Sequence, residues 1–232
     1  MYKTCGVICA AAFLVACGAS KPRETANEGA TEGVPRVQSP VGPGMYHIDS
    51  AQSELRLLVY RAGPLARLGH NHVIVNHAVG GWVKFAGNTS GAAFSLSVPV
   101  ADFIVDDARM RNEEGADFSD EVPEDAKSGT RHNMLGAALL DADRFATITL
   151  ASMAVTQVSG TWAATLTVTV AGHQSTLTVP FTLETSAGRV SAFGTAVLRQ
   201  SALGLTPFSV MLGALQVQDE LSVKFKLVAV TG

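Results

Sequence analysis

Two histidines placed two positions apart form the most unusual polar cluster of the sequence, within the segment LGHNH at residues 68–72. In an extended chain, residues two apart project to the same face, so the imidazoles of His70 and His72 could begin a metal site. The remaining ligands would have to come from distant positions, namely His77, His132, His173 or a carboxylate. Three interpretations stay open: a metal site, a hydrogen-bonded polar rim and plain surface. We expect the polar rim, with no metal.

A cysteine at the end of an apolar run indicates a different chemistry. Lys3 precedes an uncharged run at residues 5–15, and the run ends in the sequence LVAC at residues 14–17. This is the pattern of a lipoprotein signal peptide, in which the thiol of the cysteine takes a diacylglycerol. A membrane-spanning helix needs about 20 apolar residues, so an uncleaved anchor is the weaker alternative, as is an ordinary secretory peptide. We predict a signal peptide at residues 1–16 and lipidation at Cys17.

The remaining composition argues against several classes of protein. All three cysteines (Cys5, Cys9 and Cys17) lie in the predicted leader and lipidation site, so the mature domain has no thiol for a disulfide, a zinc site or a nucleophile. The sequence shows no Gly-x-Ser-x-Gly elbow and no phosphate-binding loop, and we predict no enzymatic activity. Loss of Lys3 with the leader changes the net charge from −3 to −4, and no basic run suggests a nucleic-acid partner.

The chain divides by composition into three parts. Residues 18–44 are rich in Gly, Pro, Ser, Thr and charge and lack apolar periodicity, so residues 17–44 are interpreted as the lipidated cysteine and a flexible tether. Residues 45–232 are long enough for one domain with a sizeable core.

Apolar residues alternate with polar ones through most of residues 45–232. The alternation is cleanest at residues 161–170, and it recurs around Leu55, Phe94, Leu177 and Leu221. Many short strands separated by glycine-bearing turns indicate a barrel or a sandwich. One charged stretch, residues 106–138, breaks this rhythm and predicts two short helices, at residues 107–114 and 123–135. A strand meander interrupted by helices favours a barrel.

Several segments resemble the YceI-like polyisoprenoid-binding family, in an order that covers residues 45–232. They are YHIDSAQSEL at 46–55, residues 131–152, GH at 172–173, TVPF at 178–181, RQSALGLTPFS at 199–209 and LGALQVQDEL at 212–221. The resemblance implies an all-β protein with minor helices, a lipocalin-like antiparallel eight-stranded barrel with a helical insertion, enclosing a tunnel for an isoprenoid or fatty-acyl chain. Two positions depart from the family's pattern, Ala146 and His173.

A tunnel of this kind would be lined by apolar side chains, most of them large and some of them small. We expect ligand contacts from Trp82, Phe85, Phe103, Met134, Phe193, Ala196, Leu203 and Phe208. For any one large residue, an ordinary core position is the alternative, because its burial contributes roughly 1.5–3 kcal/mol with or without a ligand. Ala196 is included because it shares a strand face with Ala192 and Gly194, as a tunnel requires.

The sequence therefore predicts a non-catalytic protein that binds, transports or sequesters a long apolar lipid, without a cofactor. The alternative is a His-dependent metal or haem protein on the same barrel, and a structural envelope module with a collapsed core is a third hypothesis. The predicted partners are the lipid and a membrane reached through the lipid anchor; a homodimer is left open. Gly18, rather than Asp, follows Cys17, which by resemblance to other lipoproteins favours the periplasmic face of the outer membrane.

We predict that Cys17→Ala releases the protein from the membrane fraction. A single acyl chain gives only marginal, reversible membrane binding, whereas several chains on one cysteine hold a protein firmly. Fractionation of cells into soluble and membrane material, with repeated washing, measures the effect. A variant that stays in the washed pellet as the parent does would contradict lipidation at Cys17.

Overall fold

The computed structural model describes residues 42–232. The predicted signal peptide, Cys17 and residues 18–41 of the predicted tether lie outside the described residues. The strands are β1 (Met45–Ile48), β2 (Glu54–Ala62), β3 (His72–Asn76), β4 (Gly80–Lys84), β5 (Ala93–Pro99), β6 (Ile104–Val105), β7 (Thr147–Val158), β8 (Thr161–Val170), β9 (His173–Ser186), β10 (Arg189–Arg199), β11 (Ser209–Val210) and β12 (Leu215–Val230). Two α-helices, α1 (Ala108–Asn112) and α2 (Glu124–Leu135), separate β6 from β7.

The strands form a closed antiparallel barrel with eight strand positions. The hydrogen-bonded order runs from β1 through β4, β5, β7, β8, β9 and β10 to β12, and β1 pairs with β12 at His47↔Val230 to close the ring. Three positions are each shared by two consecutive strands. β1 and β2 share one, because both pair with β12. β3 pairs with β2 and β4 pairs with β1, so they share the next position, and β5 and β6 share the third, because β5 pairs with β4 and β6 pairs with β3. The predicted fold class is confirmed.

Side-chain alternation directs one face of each strand into the barrel. In β8, which spans the residues predicted from the sequence, Ala164, Leu166, Val168 and Val170 are buried, whereas Thr165, Thr167 and Thr169 are only partly buried. The inward side chains form the main hydrophobic core. The barrel interior is therefore apolar along its length.

One seam of the barrel is only partly hydrogen-bonded. β10 pairs with β9 from Arg189↔Ser186 to Phe193↔Thr182, and the register ends there although both strands continue toward the same end of the barrel. Pro180 lies just beyond the last pair and has no N–H to donate, which explains why the ladder stops. Beyond that point, β9 and β10 lie side by side without a backbone hydrogen-bond ladder.

The two helices lie where the sequence predicts them. Asp107 caps α1 by accepting from the amides of Arg109 and Met110, and α2 follows Pro123 and ends at Gly136. Proline before the first turn and acidic side chains within that turn, Glu124 and Asp125, favour a helix start at this point.

The α1 segment packs on the outside of β2 and β3. Its Met110, with Phe118 beyond it, meets the outward residues Leu58, Val73 and Val75 in a second core cluster. Both faces of β2 are thus buried at its centre, which agrees with the uninterrupted apolar run at residues 57–60.

Arg56 adds an ionic contact to this outer layer. Its guanidinium lies 2.7 Å from Glu114 and 2.8 Å from Glu113, and Lys224 also binds Glu114. Burial alone would raise the pKa of Glu114, but the hydrogen bonds from Lys224 and Arg56 outweigh it and lower that pKa. The helical segment is held to the barrel wall by charge as well as by packing.

A fully buried carboxylate, Asp106, joins the helical segment to β3. Its Oδ2 lies 2.5 Å from His72 Nδ1, and its Oδ1 accepts from Arg111 Nη1 at 2.5 Å and from the Val73 amide at 2.9 Å. Burial by itself would raise the pKa of Asp106, but these hydrogen bonds together hold it below its ordinary value. Asp106 has a φ of 55°, a left-handed conformation that Asp and Asn tolerate best after glycine.

Every strand of the closed barrel, both core clusters and both helices lie between residues 45 and 230. This span therefore contains a complete folding unit. Within residues 42–232, neither helix is long and apolar enough to cross a membrane.

We predict that Asp106→Asn lowers the free energy of unfolding at neutral pH by about 3 kcal/mol, because the buried Arg111 loses its counter-ion. Asn keeps the left-handed backbone, so the change removes mainly the charge. Since the pKa of Asp106 is lower in the folded than in the unfolded chain, its contribution is present above about pH 4 and is lost as the pH falls through the folded-state pKa. The difference between parent and variant should therefore shrink in acid.

Denaturant unfolding at a series of pH values measures this difference. Glu124→Gln is the control, because Glu124 pairs with Lys127 in an exposed ion pair and should change stability by less than about 1 kcal/mol. Equal losses in the two variants, or a loss independent of pH, would contradict the assigned role of Asp106.

Candidate binding cavity

The barrel encloses an apolar cavity of about 500 Å³. Its wall is formed by the inward residues of β2, β5, β7, β8, β9, β10 and β12, nearly all of them Leu, Val, Ile, Ala or Phe. Ligand-binding cavities typically measure roughly 300–1,000 Å³ and are mostly apolar with a few polar groups. The interior space thus has the size and the apolar character of a ligand-binding cavity.

Small side chains on β10 help to create this space. Ala192 and Ala196 both line the cavity, whereas Gly194 between them lies against the Phe225 ring. A Cβ at Gly194 would come within 2.9 Å of that ring and 3.0 Å of the Pro180 carbonyl oxygen. The glycine is required by close packing, and the two alanines face open interior space.

Aromatic rings fill the barrel at one end. Phe85 packs edge-on against Trp162 with ring centroids 5.8 Å apart, and Trp162 lies 6.1 Å from Phe181, which lines the cavity. Phe85 follows the end of β4 and Trp162 stands near the start of β8, so both belong to the end where the chain also enters β1. We call Phe85, Trp162 and Phe181 the aromatic end.

Helix α2 and the β2–β3 connection border the opposite end, which we call the mouth. One face of α2 contributes Ala126, Thr130, Asn133 and Met134 to the cavity wall, at the spacing of a single helix face. The polar side chains of the wall gather at this end: His70, His72, Thr130, Asn133, Gln200 and Gln216. The cavity therefore has an apolar interior and one polar end.

The two histidines of the mouth differ in their surroundings. His72 places Nδ1 against Asp106, so in its neutral form Nε2 is an acceptor, and the Thr130 hydroxyl lies 3.3 Å away in position to donate to it. The His70 ring lies 6.3 Å from the His72 ring, and none of the described residues hydrogen-bonds to it. His72 is thus a fixed group, whereas His70 keeps its hydrogen-bonding capacity for another molecule.

The structure brings together most of the residues selected from the sequence. Phe103, Met134, Ala196, Leu203, Phe208, His70 and His72 all line the cavity. Phe85 lies in the aromatic end, beyond the lining. Trp82 and Phe193 are out of phase with the cavity-lining residues Val83 and Ala192 on the same strands, so both lie off the cavity wall.

Sequence reasoning missed Asp106, Thr130 and Asn133. Nothing local marks Asp106 as the partner of His72, because the two are far apart in sequence. Thr130 and Asn133 carried a usable signal, since they share a helix face with the predicted ligand-contact residue Met134. As for metal ligation, residues 42–232 contain no group of three or more His, Cys, Asp or Glu side chains arranged to hold an ion.

Comparisons with known proteins place the chain in a family. Two solved structures share the fold. One is BcnA of Burkholderia cenocepacia, with a TM-score of 0.58 and 19% identity over 78% of this chain and 98% of that one. The other is a polyisoprenoid-binding domain from Saccharophagus degradans implicated in plant cell wall breakdown, with a TM-score of 0.54 and 12% identity over 81% of this chain and 98% of that one. The comparison with curated proteins gives no match. Residues 46–229, the whole barrel, match the YceI-like domain, and the chain therefore belongs to the YceI-like family.

Proposed function

We propose that this protein binds one long apolar lipid, of isoprenoid or fatty-acyl type, inside the barrel and carries or sequesters it in the cell envelope. The observation that carries the proposal is the apolar cavity of about 500 Å³ that runs between the aromatic end and the mouth. The structural neighbour from Saccharophagus degradans, a polyisoprenoid-binding domain, supports an isoprenoid as the ligand class.

The shape of the interior favours a single extended chain. Eight strand positions give a barrel just wide enough for side chains or one slim ligand, and here the alanines of β10 leave part of that width unfilled. A chain that enters from the mouth meets aliphatic side chains along its length and stops at Phe181 and the rings behind it. We infer that the tail points toward the aromatic end.

A polar head group would then lie at the mouth. His70 has no hydrogen-bond partner among the described residues, and Asn133 and Thr130 line the same cavity. These groups can donate to a carbonyl or phosphate oxygen, and they can donate to or accept from a hydroxyl. The Asp106 and Arg111 charges lie behind His72 and are paired with each other, so they hold the imidazole in place.

The cellular setting of the proposal comes from the sequence. Lipidation at Cys17 would tether the barrel to a membrane of the envelope, and Gly18 favours the outer membrane. The family is one of binding proteins, and we propose a non-catalytic role with the lipid as ligand and no metal or haem.

We predict that Ala196→Trp abolishes co-purified lipid while changing the melting temperature of the delipidated protein little. In a packed core the added bulk would cost about 1–3 kcal/mol, but the Ala196 side chain faces open interior space. Mass spectrometry of an organic extract and thermal unfolding of delipidated parent and variant are the two measurements.

Val197→Trp is the matched control for this variant. Val197 is the next residue on β10, points outward and is 65% exposed, so the same bulk there should leave lipid content unchanged. An unstable Ala196→Trp protein, or a stable one that keeps the parent's lipid, would contradict a ligand at this strand. A parent without lipid after gentle purification would contradict the carrier function itself.

We predict that His70→Ala weakens retention of lipids with a polar head severalfold, without affecting a long-chain hydrocarbon. One lost hydrogen bond is worth about 0.5–1.5 kcal/mol, which corresponds to this range. His132→Ala is the control, because His132 is exposed on α2 and does not line the cavity. Stoichiometric metal or haem in the parent that His70→Ala removes would instead favour the metal-binding alternative.

A further inference from the structure

Two loops at the mouth pack against each other to form one surface. They are the β2–β3 connection, residues 63–71, and residues 209–214, which contain β11 and the turn after it. The Leu65 amide donates to the Ala214 carbonyl oxygen at 2.8 Å. Gly63 approaches so closely that a Cβ there would lie 2.6 Å from the same oxygen. The two loops therefore act as one unit.

This unit exposes a cluster of large apolar side chains. Leu212 is fully exposed, Met211 is 66% exposed and Leu68 is 61% exposed, with Val210 beside them at 37%. We call these four residues the apolar lip. The other strongly exposed apolar residues of the described chain are dispersed over β6, β7 and β10. Single exposed apolar residues are ordinary, but a cluster marks a binding surface.

The backbone holds the lip outward in an unfavourable conformation. Met211 and Leu212 have φ values of 53° and 55°, in the left-handed region that bulky residues seldom adopt. Asparagine or glycine would relieve this strain and would also remove the exposed apolar surface. The sequence instead has Met and Leu at these positions, so one turn combines a left-handed backbone with exposed apolar side chains.

The lip is continuous with the cavity. The same two loops and the residues next to them supply Gly69, His70, Phe208 and Leu215 to the cavity wall. A Cβ at Gly69 would touch the Leu215 side chain at 3.0 Å, so the loop rests directly on the start of β12. The lip therefore adjoins the cavity wall.

The charge around the lip suits a phospholipid surface. The sequence has no Asp or Glu between Glu54 and Asp102 or between Glu184 and Asp219, so both loops lack carboxylates, and Arg67 is exposed next to Leu68. Carboxylates of the helical segment lie at Asp117, whose backbone carbonyl accepts from Asn71 at the end of the β2–β3 connection, and in the first turn of α2. The exposed residues of the lip itself are apolar, and apolar side chains with a neighbouring arginine match the interfacial region of a bilayer.

We propose that the apolar lip inserts into the interface of a phospholipid bilayer, so that the lipid passes between the membrane and the cavity. This inference rests on the proposed carrier function for its purpose. The docking itself depends only on the lip. It is a reversible contact, separate from the anchor predicted at Cys17.

Vesicle flotation of residues 42–232 tests the docking without the anchor, since this span contains the complete barrel. The vesicles are phosphatidylcholine with a minor fraction of phosphatidylglycerol. The parent should float with them and still do so at high salt, because the contact is mainly apolar. The double variant Met211→Asn, Leu212→Asn should reduce the floated fraction at least about fivefold while its melting temperature stays equal or rises.

The matched control is Met153→Asn with Val158→Asn. These side chains are 64% and 71% exposed on β7, away from the lip, so the pair removes a similar apolar surface at another place. This control should float as the parent does. If it loses flotation as the lip variant does, the binding is unspecific and the proposal is wrong.

Lipid content after direct addition of a long-chain isoprenoid alcohol separates docking from carrying. A lip variant that binds the added lipid as the parent does, but takes it up more slowly from loaded vesicles, supports the proposal. A parent that binds the lipid but does not float overturns docking and leaves the carrier function standing. A parent that floats but binds no lipid keeps the docking and contradicts the carrier function. If the parent forms a dimer and does not float, and the lip variant is a monomer, then a second copy of the chain covers the lip and the proposal is wrong.

Discussion

Pairing of β1 with β12 makes the barrel, and the cavity, its mouth and its lining all depend on that closure. His47 meets Val230 and Ile48 meets Ala229 in antiparallel register, which joins the first strand to the last. Closure removes the free edges that an open sheet would expose. It also encloses one face of every strand, so the alternation along each strand decides what the interior contains. Here the inward residues are mostly apolar and do not fill the available width.

Space of this kind has an energetic consequence for the folded state. Apolar side chains that border a cavity lack the dispersion contacts that a close-packed core provides. A lipid in the cavity would supply those contacts, and a ligand that binds only the folded state raises its stability by mass action. The bound lipid would thus serve as a part of the core as well as the cargo, and the melting temperature should report occupancy.

The sequence predicts the elements of this structure better than it predicts their contacts. The alternation in β8 and the proline before α2 gave these elements correctly, because both signals are local. Phe193 and Ala196 cannot both face the cavity, because they differ by an odd number of positions on one strand, so the period-two alternation alone excludes Phe193 from the wall that Ala196 lines. The partnership of His72 with Asp106 and Arg111 was not accessible, because it depends on how the helical segment folds over β3.

The two ends of the barrel differ in a way that constrains how the protein meets a membrane. The Gly44 carbonyl accepts from the Phe85 amide at 2.8 Å, so the chain joins the barrel at the aromatic end. The mouth and the apolar lip lie at the other end. A lip that inserts into a bilayer, as proposed, would present the mouth to the membrane and the aromatic end to water. A ligand would then enter and leave through the mouth, because the rings of Phe85, Trp162 and Phe181 fill the opposite end.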